Sequence, residues 1–307
     1  MTTEDFSQLV ERIMQNNNLA LMRPVVEKEL LHYDILFCLD QEGLLDHLVF
    51  QGGTSLRLCH GGNRFSEDLD FVGGMDFSSA SLANIKNCIE DYIGARYGLV
   101  VSVKEPATLR KEPCYTQMNI DKWQISIITS PGRKDIPRQR IKIEVANVPA
   151  YTKKALPLRV NYPFLPDGYG DTLVFTETLD EVLADKLIAL PATQKYIRYR
   201  DIWDLPWLLQ QGAEMNVELV KKKVDDYRLD DFGSFEQRLD QLIKNIPEMV
   251  SDGRLKTEMR RFIPSDVYER TLGKEKFSSY LSGTLNQLFS GLKGELYGKV
   301  EPPEFRM

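Results

Sequence analysis

Asp68 and Asp70 stand one residue apart in the stretch Arg64-Phe65-Ser66-Glu67-Asp68-Leu69-Asp70-Phe71. In an extended chain side chains alternate between faces, so both carboxylates project to one side, about 7 Å apart at the backbone, while Leu69 and Phe71 enter a core. Like charges held that close are costly unless cations bridge them, and hard oxygen donors of this kind suit Mg²⁺ or Mn²⁺. The same pair would also serve as a solvated strand face or a turn. A second alternating stretch, Ile141-Lys142-Ile143-Glu144-Val145, puts Lys142 and Glu144 on one face and three β-branched residues on the other. Glu144 would supply a third carboxylate from a neighbouring strand, or pair with one of the basic residues beside it. Three carboxylates around two divalent ions, roughly 3.5–4 Å apart, make a clamp for the attacking and leaving oxygens of phosphoryl or nucleotidyl transfer.

A phosphate-binding turn needs glycine, because the backbone must approach the anion closely, and it gains from the free N–H groups of a following helix. Gly52-Gly53-Thr54-Ser55 meets both needs and lies shortly before Asp68. It lacks the GxxxxGK[ST] pattern of a Walker loop. Its structural alternative is a glycine turn that ends a strand, with Thr54 or Ser55 capping the helix.

Further along, Leu179, Val182, Leu183, Lys186, Leu187 and Leu190 follow helical spacing, which sets Lys186 inside an apolar stripe. A lysine there either snorkels to solvent or reaches an anionic cleft and holds a triphosphate. Thr178 and Glu181 have capping-box spacing, which gives Glu181 a structural role. In the next helix Asp201 and Asp204 share a side with Leu205 and Leu208. Such a carboxylate would orient Lys186 or accept a proton from the attacking group, unless it forms an Asp–Arg pair within the lobe. Pro206 is expected to kink this helix.

The elements that must position these groups form two lobes. Helical spacing covers 3–15 and about 22–40; a strand over 47–51 leads into the glycine turn; Leu69–Val72 reads as a strand and 78–97 as a helix. Strands are expected over 98–104, 114–120, 123–130 and 140–148. The stretch 151–170, with its prolines and glycines, suits an irregular connection. Beyond it the pattern is helical: 178–190, 197–211, 215–227 and 233–245, then weaker helices within 254–295 and a frayed tail from Pro302. The expected division is an α/β (α+β) core over 1–175, with N-terminal helices, and a helical domain over 176–307.

Composition bounds the function. The chain has 307 residues, 42% hydrophobic and 27% charged, which excludes disordered, collagen-like and rod-like classes. No run approaches the roughly 18 apolar residues of a membrane span, and the N-terminal stretch has no signal-peptide pattern. Four scattered cysteines without a CxxC pair and three histidines argue for reduced thiols in the cytoplasm and against a conventional zinc site. A net charge of -6 opposes bulk capture of nucleic acid. A local basic strip, with Arg133, Lys134, Arg138, Arg140 and Lys142 against Asp135 alone, could still follow an RNA backbone.

Five stretches in order, GGTSLR (52–57), RFSEDLDF (64–71), IKIEV (141–145), EVLADK (181–186) and RDIWDL (200–205), resemble the AbiEii type of nucleotidyltransferase toxin. That family is a branch of the DNA polymerase beta-like nucleotidyltransferases and is related to the MenT toxins; the likeness spans about residues 45–210. It implies a mixed-sheet catalytic core followed by a helical lobe that contributes active-site residues. It implies Asp68 and Asp70 as metal ligands, with Glu144 as the third candidate. Gly52, Gly53, Thr54, Ser55, Arg64 and Lys186 would bind the nucleotide, and Lys186 and Asp204 would join Asp68 and Asp70 as catalytic residues. Two departures stand out: the gap from glycine turn to first Asp is longer than in the GS-x10-DxD pattern of the wider superfamily, and Glu replaces the usual third Asp. The expected activity is Mg²⁺-dependent (or Mn²⁺-dependent) transfer of NMP from an NTP to an RNA hydroxyl, tRNA first among acceptors, with release of pyrophosphate. The setting would be a toxin–antitoxin or abortive-infection phage-defence system with a separately encoded antitoxin and no membrane partner. Two rivals are the same chemistry on a small-molecule or protein hydroxyl, and a non-catalytic module that binds nucleotide or antitoxin.

Overall fold

The computed structural model describes residues 5–107, 109, 120–132, 137–229 and 235–298. The chain divides into two compact units, Met1–Thr178 with Arg260–Tyr268, and Leu179–Met259 with Glu269–Met307.

The first unit is built on a mixed seven-stranded sheet. Its elements in chain order are α1 (Phe6–Met14), α2 (Arg23–Gln41), β1 (Val49–Gln51), α3 (Gly52–Leu58), β2 (Leu69–Val72), α4 (Ile85–Tyr97), β3 (Val100–Lys104), β4 (Ile120–Ile128), β5 (Gln139–Ala146), β6 (Lys154–Pro157) and β7 (Leu173–Thr176). The strand order is β3-β4-β5-β2-β1-β7-β6, which makes β2 the central strand. β2 runs parallel to β5 and antiparallel to β1. On β2, Leu69 and Phe71 are buried and Asp70 is half-buried; on β5, Ile141, Ile143 and Val145 are buried while Lys142 is exposed. The period-2 pattern of both strands therefore meets a sheet with one dry face.

α2 lies in the interior and is buried nearly all round, and four of its buried residues are polar or charged: Glu27, Glu29, His32 and Asp34. Each finds a partner, as burial without one would cost several kcal/mol. Glu27 accepts from Gln139 Nε2 at 2.7 Å and Thr129 Oγ1 at 3.0 Å. Glu29 binds Arg57 through Nε at 2.8 Å and accepts from the Tyr162 hydroxyl at 2.9 Å. Asp34 accepts from the hydroxyls of Tyr97 and Tyr169 at 3.0 and 2.5 Å. His32 Nε2 lies 3.0 Å from the Glu67 carbonyl, which can only accept, so Nε2 carries the hydrogen.

Several expected elements differ. The helix expected over 78–97 is split: Ser78 caps a short turn at Ser79–Leu82, and α4 starts at Ile85. Where two strands were expected after residue 113, β4 is one strand from Ile120, and 114–119 lie outside the described residues. The stretch expected to be irregular carries β6, paired antiparallel with β7. β6 is an edge strand, where Pro157 needs no ladder N–H.

The second unit is helical: α5 (Leu179–Ala192), α6 (Tyr199–Gln210), α7 (Val217–Asp226), α8 (Phe235–Ser251), α9 (Gly253–Met259) and, after α10 (Ser265–Arg270) at the boundary, α11 (Glu275–Tyr297). α6 stays helical on both sides of Pro206. α11, expected as a weak helix, is 23 residues long and buries Leu281, Leu285, Leu288, Phe289 and Leu292 along one stripe. No helix among the described residues is long and apolar enough to cross a membrane. Cys38, Cys59 and Cys88 are free thiols, and Cys114 lies outside the described residues.

Candidate active site

The carboxylates meet through the sheet register. Asp70 pairs with Glu144 of β5 on one side and Gln51 of β1 on the other. Asp68 precedes β2 and reaches the same neighbour strand: its Oδ1 accepts from the Lys142 backbone N–H at 3.0 Å, and its Oδ2 lies 3.4 Å from Lys142 Nζ. Glu144 in turn binds Lys122 Nζ of β4 at 3.0 Å. Asp70 and Glu144 thus lie on adjacent strands, with Asp68 just before β2 and two lysines set against the group. The carboxylates, Asp68 foremost, raise the Lys142 pKa above its ordinary value against the opposing effect of burial.

The glycine turn abuts this group. Gly52 has φ +76, and a Cβ there would stand 2.8 Å from Asp70 Oδ2, so only glycine fits both the backbone and the neighbour. A Cβ on Gly53 would collide with the Arg64 guanidinium, which is buried and donates to the Phe65 carbonyl at 3.0 Å. Thr54 and Ser55 are buried; Thr54 Oγ1 donates to the Asp68 carbonyl at 2.5 Å and Ser55 Oγ to the Gly52 carbonyl at 3.0 Å. Both hydroxyls therefore shape the turn. The loop into β2 is anchored from α2, where Lys28 Nζ binds Glu67 at 2.8 Å. Burial drives the His32 pKa down to about 4, so a neutral imidazole holds the Glu67 carbonyl.

In the second unit Lys186 Nζ lies 2.7 Å from Asp201 Oδ1 and 2.8 Å from Asp204 Oδ2, all three side chains being no more than 7% exposed. Arg198 also binds Asp201. Burial alone would raise the Asp201 pKa, but the attraction of Lys186 and then Arg198 outweighs it and holds the carboxyl well below the usual range. Lys186 does not snorkel to solvent. A second buried cluster adjoins it: Lys223 of α7, fully buried, contacts Glu181 at 2.8 Å and Asp185 at 3.0 Å. Glu181 thus has a partner beyond the expected capping box, and Lys223 is a buried cation that sequence reasoning missed. Its signal was its spacing from Leu219 and Val220 within an otherwise exposed lysine run.

Of the basic strip, Arg138, Arg140 and Lys142 are exposed, whereas Arg133, Lys134 and Asp135 lie outside the described residues. As the side chains stand, no three His, Cys, Asp or Glu among the described residues are gathered so as to hold a metal ion. The donor chemistry of Asp68, Asp70 and Glu144 nevertheless fits a divalent cation. All are hard carboxylate donors, Asp70 and Glu144 on neighbouring strands and Asp68 just before β2, and the side-chain-free Gly52 leaves room beside Asp70.

The family model for nucleotidyl transferase AbiEii toxin, type IV toxin–antitoxin system, matches residues 34–282. The chain belongs to the AbiEii nucleotidyltransferase toxin family. Membership makes it a nucleotidyltransferase toxin, with an NTP as substrate, divalent-metal chemistry as the family's general mode and an antitoxin as the implied partner. The fold agrees. The nucleotidyltransferase toxin MenT4 from Mycobacterium tuberculosis H37Rv superimposes with a TM-score of 0.54 at 19% identity, covering 93% of this chain and 88% of that one. JHP933 from Helicobacter pylori gives 0.50 at 19% identity, covering 88% and 94%. No curated protein matches the sequence. The AbiEii match takes in the glycine turn, both aspartates, Glu144, Lys186 and Asp204.

Proposed function

We propose that this toxin transfers NMP from an NTP to a hydroxyl of RNA, with tRNA as the favoured acceptor and Mg²⁺ as the metal, and that growth arrest in phage defence follows from the modified acceptor. The observation that carries the reading is the register of Asp70 with Glu144, beside Asp68 and against a glycine whose missing side chain makes room. In this reading Asp68, Asp70 and Glu144 hold the divalent cation. When bound, the cation would neutralise phosphate charge and stabilise the attacking and leaving oxygens. The Lys142 N–H fixes the Asp68 carboxylate, and the turn at Gly52 and Gly53, backed by Arg64, lets the backbone approach the nucleotide phosphates. Lys186, buried between Asp201 and Asp204 in the helical unit, is the residue for which a part in binding the triphosphate remains to be tested. Of the two roles open to Asp204, holding Lys186 is favoured by their 2.8 Å contact.

Incubation with labelled NTPs and total RNA tests the reading: label should enter RNA with wild-type protein and fail to enter with Asp70→Asn. Absence of label with every nucleotide, from folded protein, would remove RNA as the acceptor. The net charge of -6 favours a second reading, transfer to a protein or small-molecule hydroxyl. Label that survives RNase but not protease, or that migrates as a small molecule, would select it.

A further inference from the structure

In the first unit α2 and α4 meet along one antiparallel seam. The Tyr97 hydroxyl donates to Asp34 at 3.0 Å, and further along α2, further back on α4, the rings of Phe37 and Tyr92 lie 5.8 Å apart. The next pair, one residue on from Phe37 and one turn back from Tyr92, is Cys38 and Cys88. Their thiols are in direct hydrogen-bond contact, and both line a cleft of about 460 Å³. Cys38 is 3% exposed, whereas Cys88 is half-buried.

The two sulfurs are not equivalent. The contact with Cys88, and then burial, push the Cys38 thiol far above its ordinary pKa, so it keeps its hydrogen. The same contact, with Cys38 as donor, lowers the Cys88 pKa against the opposing effects of burial, Glu42 and Asp91. A more accessible sulfur that carries the thiolate, beside a buried one that keeps its proton, is the arrangement of a reactive thiol and its resolving partner. Glu42 and Asp91 also border the cleft, and no Lys, Arg or His is among the described residues lining it. An anionic disulfide such as oxidised glutathione is repelled there, and a small neutral hydroperoxide is not.

We propose that Cys88 and Cys38 form an oxidative modification site, in which hydrogen peroxide reacts at Cys88 and the pair closes to a disulfide between α4 and α2. The Cys88 thiolate attacks one oxygen of the peroxide and the O–O bond breaks. This leaves a sulfenic acid on Cys88 and a hydroxide, which takes up the proton that the thiol released. The Cys38 sulfur then displaces the sulfenic hydroxyl: the S–S bond forms, the S–O bond breaks, and the Cys38 hydrogen leaves with the hydroxyl as a second water. Each sulfur gives up one electron and the peroxide gains both. α2 also carries Lys28 and His32, which hold the loop into β2, so the crosslink fastens to α4 the helix that anchors that loop.

The test is peptide mass spectrometry of the full chain after exposure to graded hydrogen peroxide, with the remaining free thiols alkylated in urea before digestion. The Cys38 and Cys88 peptides should appear joined, two hydrogens lighter than the reduced pair, with Cys59 still alkylated, and dithiothreitol should restore both thiols. In Cys88→Ser, Cys38 should stay reduced. In Cys38→Ala, Cys88 should accumulate as a sulfenic acid that dimedone captures, and its alkylation in the folded protein should slow at least about threefold once the donor S–H is gone. Unchanged alkylation in that variant overturns Cys88 as the activated thiol. The proposal is also overturned if wild-type Cys88 stays reduced at peroxide levels that oxidise the exposed Met75, passes to sulfinic acid without joining Cys38, or joins any other thiol.

Discussion

Replacing Lys186 by Met removes the ammonium from two carboxylates that are 4% and 3% exposed, Asp201 and Asp204. The new side chain has similar volume, so packing changes little, and the cost comes from the stranded charges. Breaking a buried pair in this way costs about 3–5 kcal/mol. Part of this is offset because Arg198 still binds Asp201, so the lower end, about 3 kcal/mol, is expected. The triple variant Lys186→Met, Asp201→Asn, Asp204→Asn removes all three charges and should recover most of the loss. Urea unfolding followed by tryptophan fluorescence reads this directly, since Trp203 sits on α6 between the two aspartates. A Lys186→Met protein within about 0.5 kcal/mol of wild type would refute the view that this lysine holds the helices together. Transfer measured well below the unfolding midpoint then separates structure from chemistry. If the triphosphate needs this charge, the triple variant is folded but inactive; a fully active triple variant would refute a catalytic part for Lys186.

Gly52→Ala places a methyl group against Asp70 and an alanine at φ +76, so it should cost about 1–2 kcal/mol and abolish transfer as Asp70→Asn does; wild-type turnover would count against the crowding argument. Lys142→Met removes a cation that competes for Asp68 and, at about 1 kcal/mol for exposed charges a few ångströms apart, should lower the Mg²⁺ concentration for half-maximal transfer about fivefold; an unchanged value would show that the lysine does not compete. His32 has its pKa lowered from 6.5 to about 4, so the unfolded chain takes up a proton below pH 6.5 that the folded chain refuses. Its contribution is whole above pH 6.5 and is lost as pH falls toward 4, about 3 kcal/mol in all. Denaturation across that window should show a shallower loss for His32→Gln than for wild type, and equal slopes would refute this origin.

The pairing of Asp68 and Asp70 by alternation is a local pattern, and so it was legible as an expectation from eight consecutive residues. That Glu144 could join them from a neighbouring strand was also legible, but the register that sets it opposite Asp70, across 74 residues of chain, was not. The same holds for the lysines: Lys142 was visible as part of a basic run, but its place opposite Asp68 follows only from the parallel register of β2 with β5. Lys186 announced itself as a charge within an apolar helical stripe. Glu181 was legible only as half of a local capping pattern; its buried contact with Lys223, 42 positions on, was not. β7 was missed because its four residues border a helix start, and β6 because Lys154 and Pro157 give it the composition of a loop.

The partners of α2 set a condition on how this toxin is made. Glu27, Glu29 and Asp34 emerge early from the ribosome, yet Gln139, Tyr162 and Tyr169, which satisfy them, follow 112 to 135 residues later. At roughly 5–20 residues per second that is a wait of about 6–27 s, during which the helix lacks these partners. Synthesis halted before residue 169 leaves these acids without their full set of partners and the first unit incomplete. A truncated product should therefore be harmless to its host, and toxicity should begin only once nearly all of the first unit has been translated.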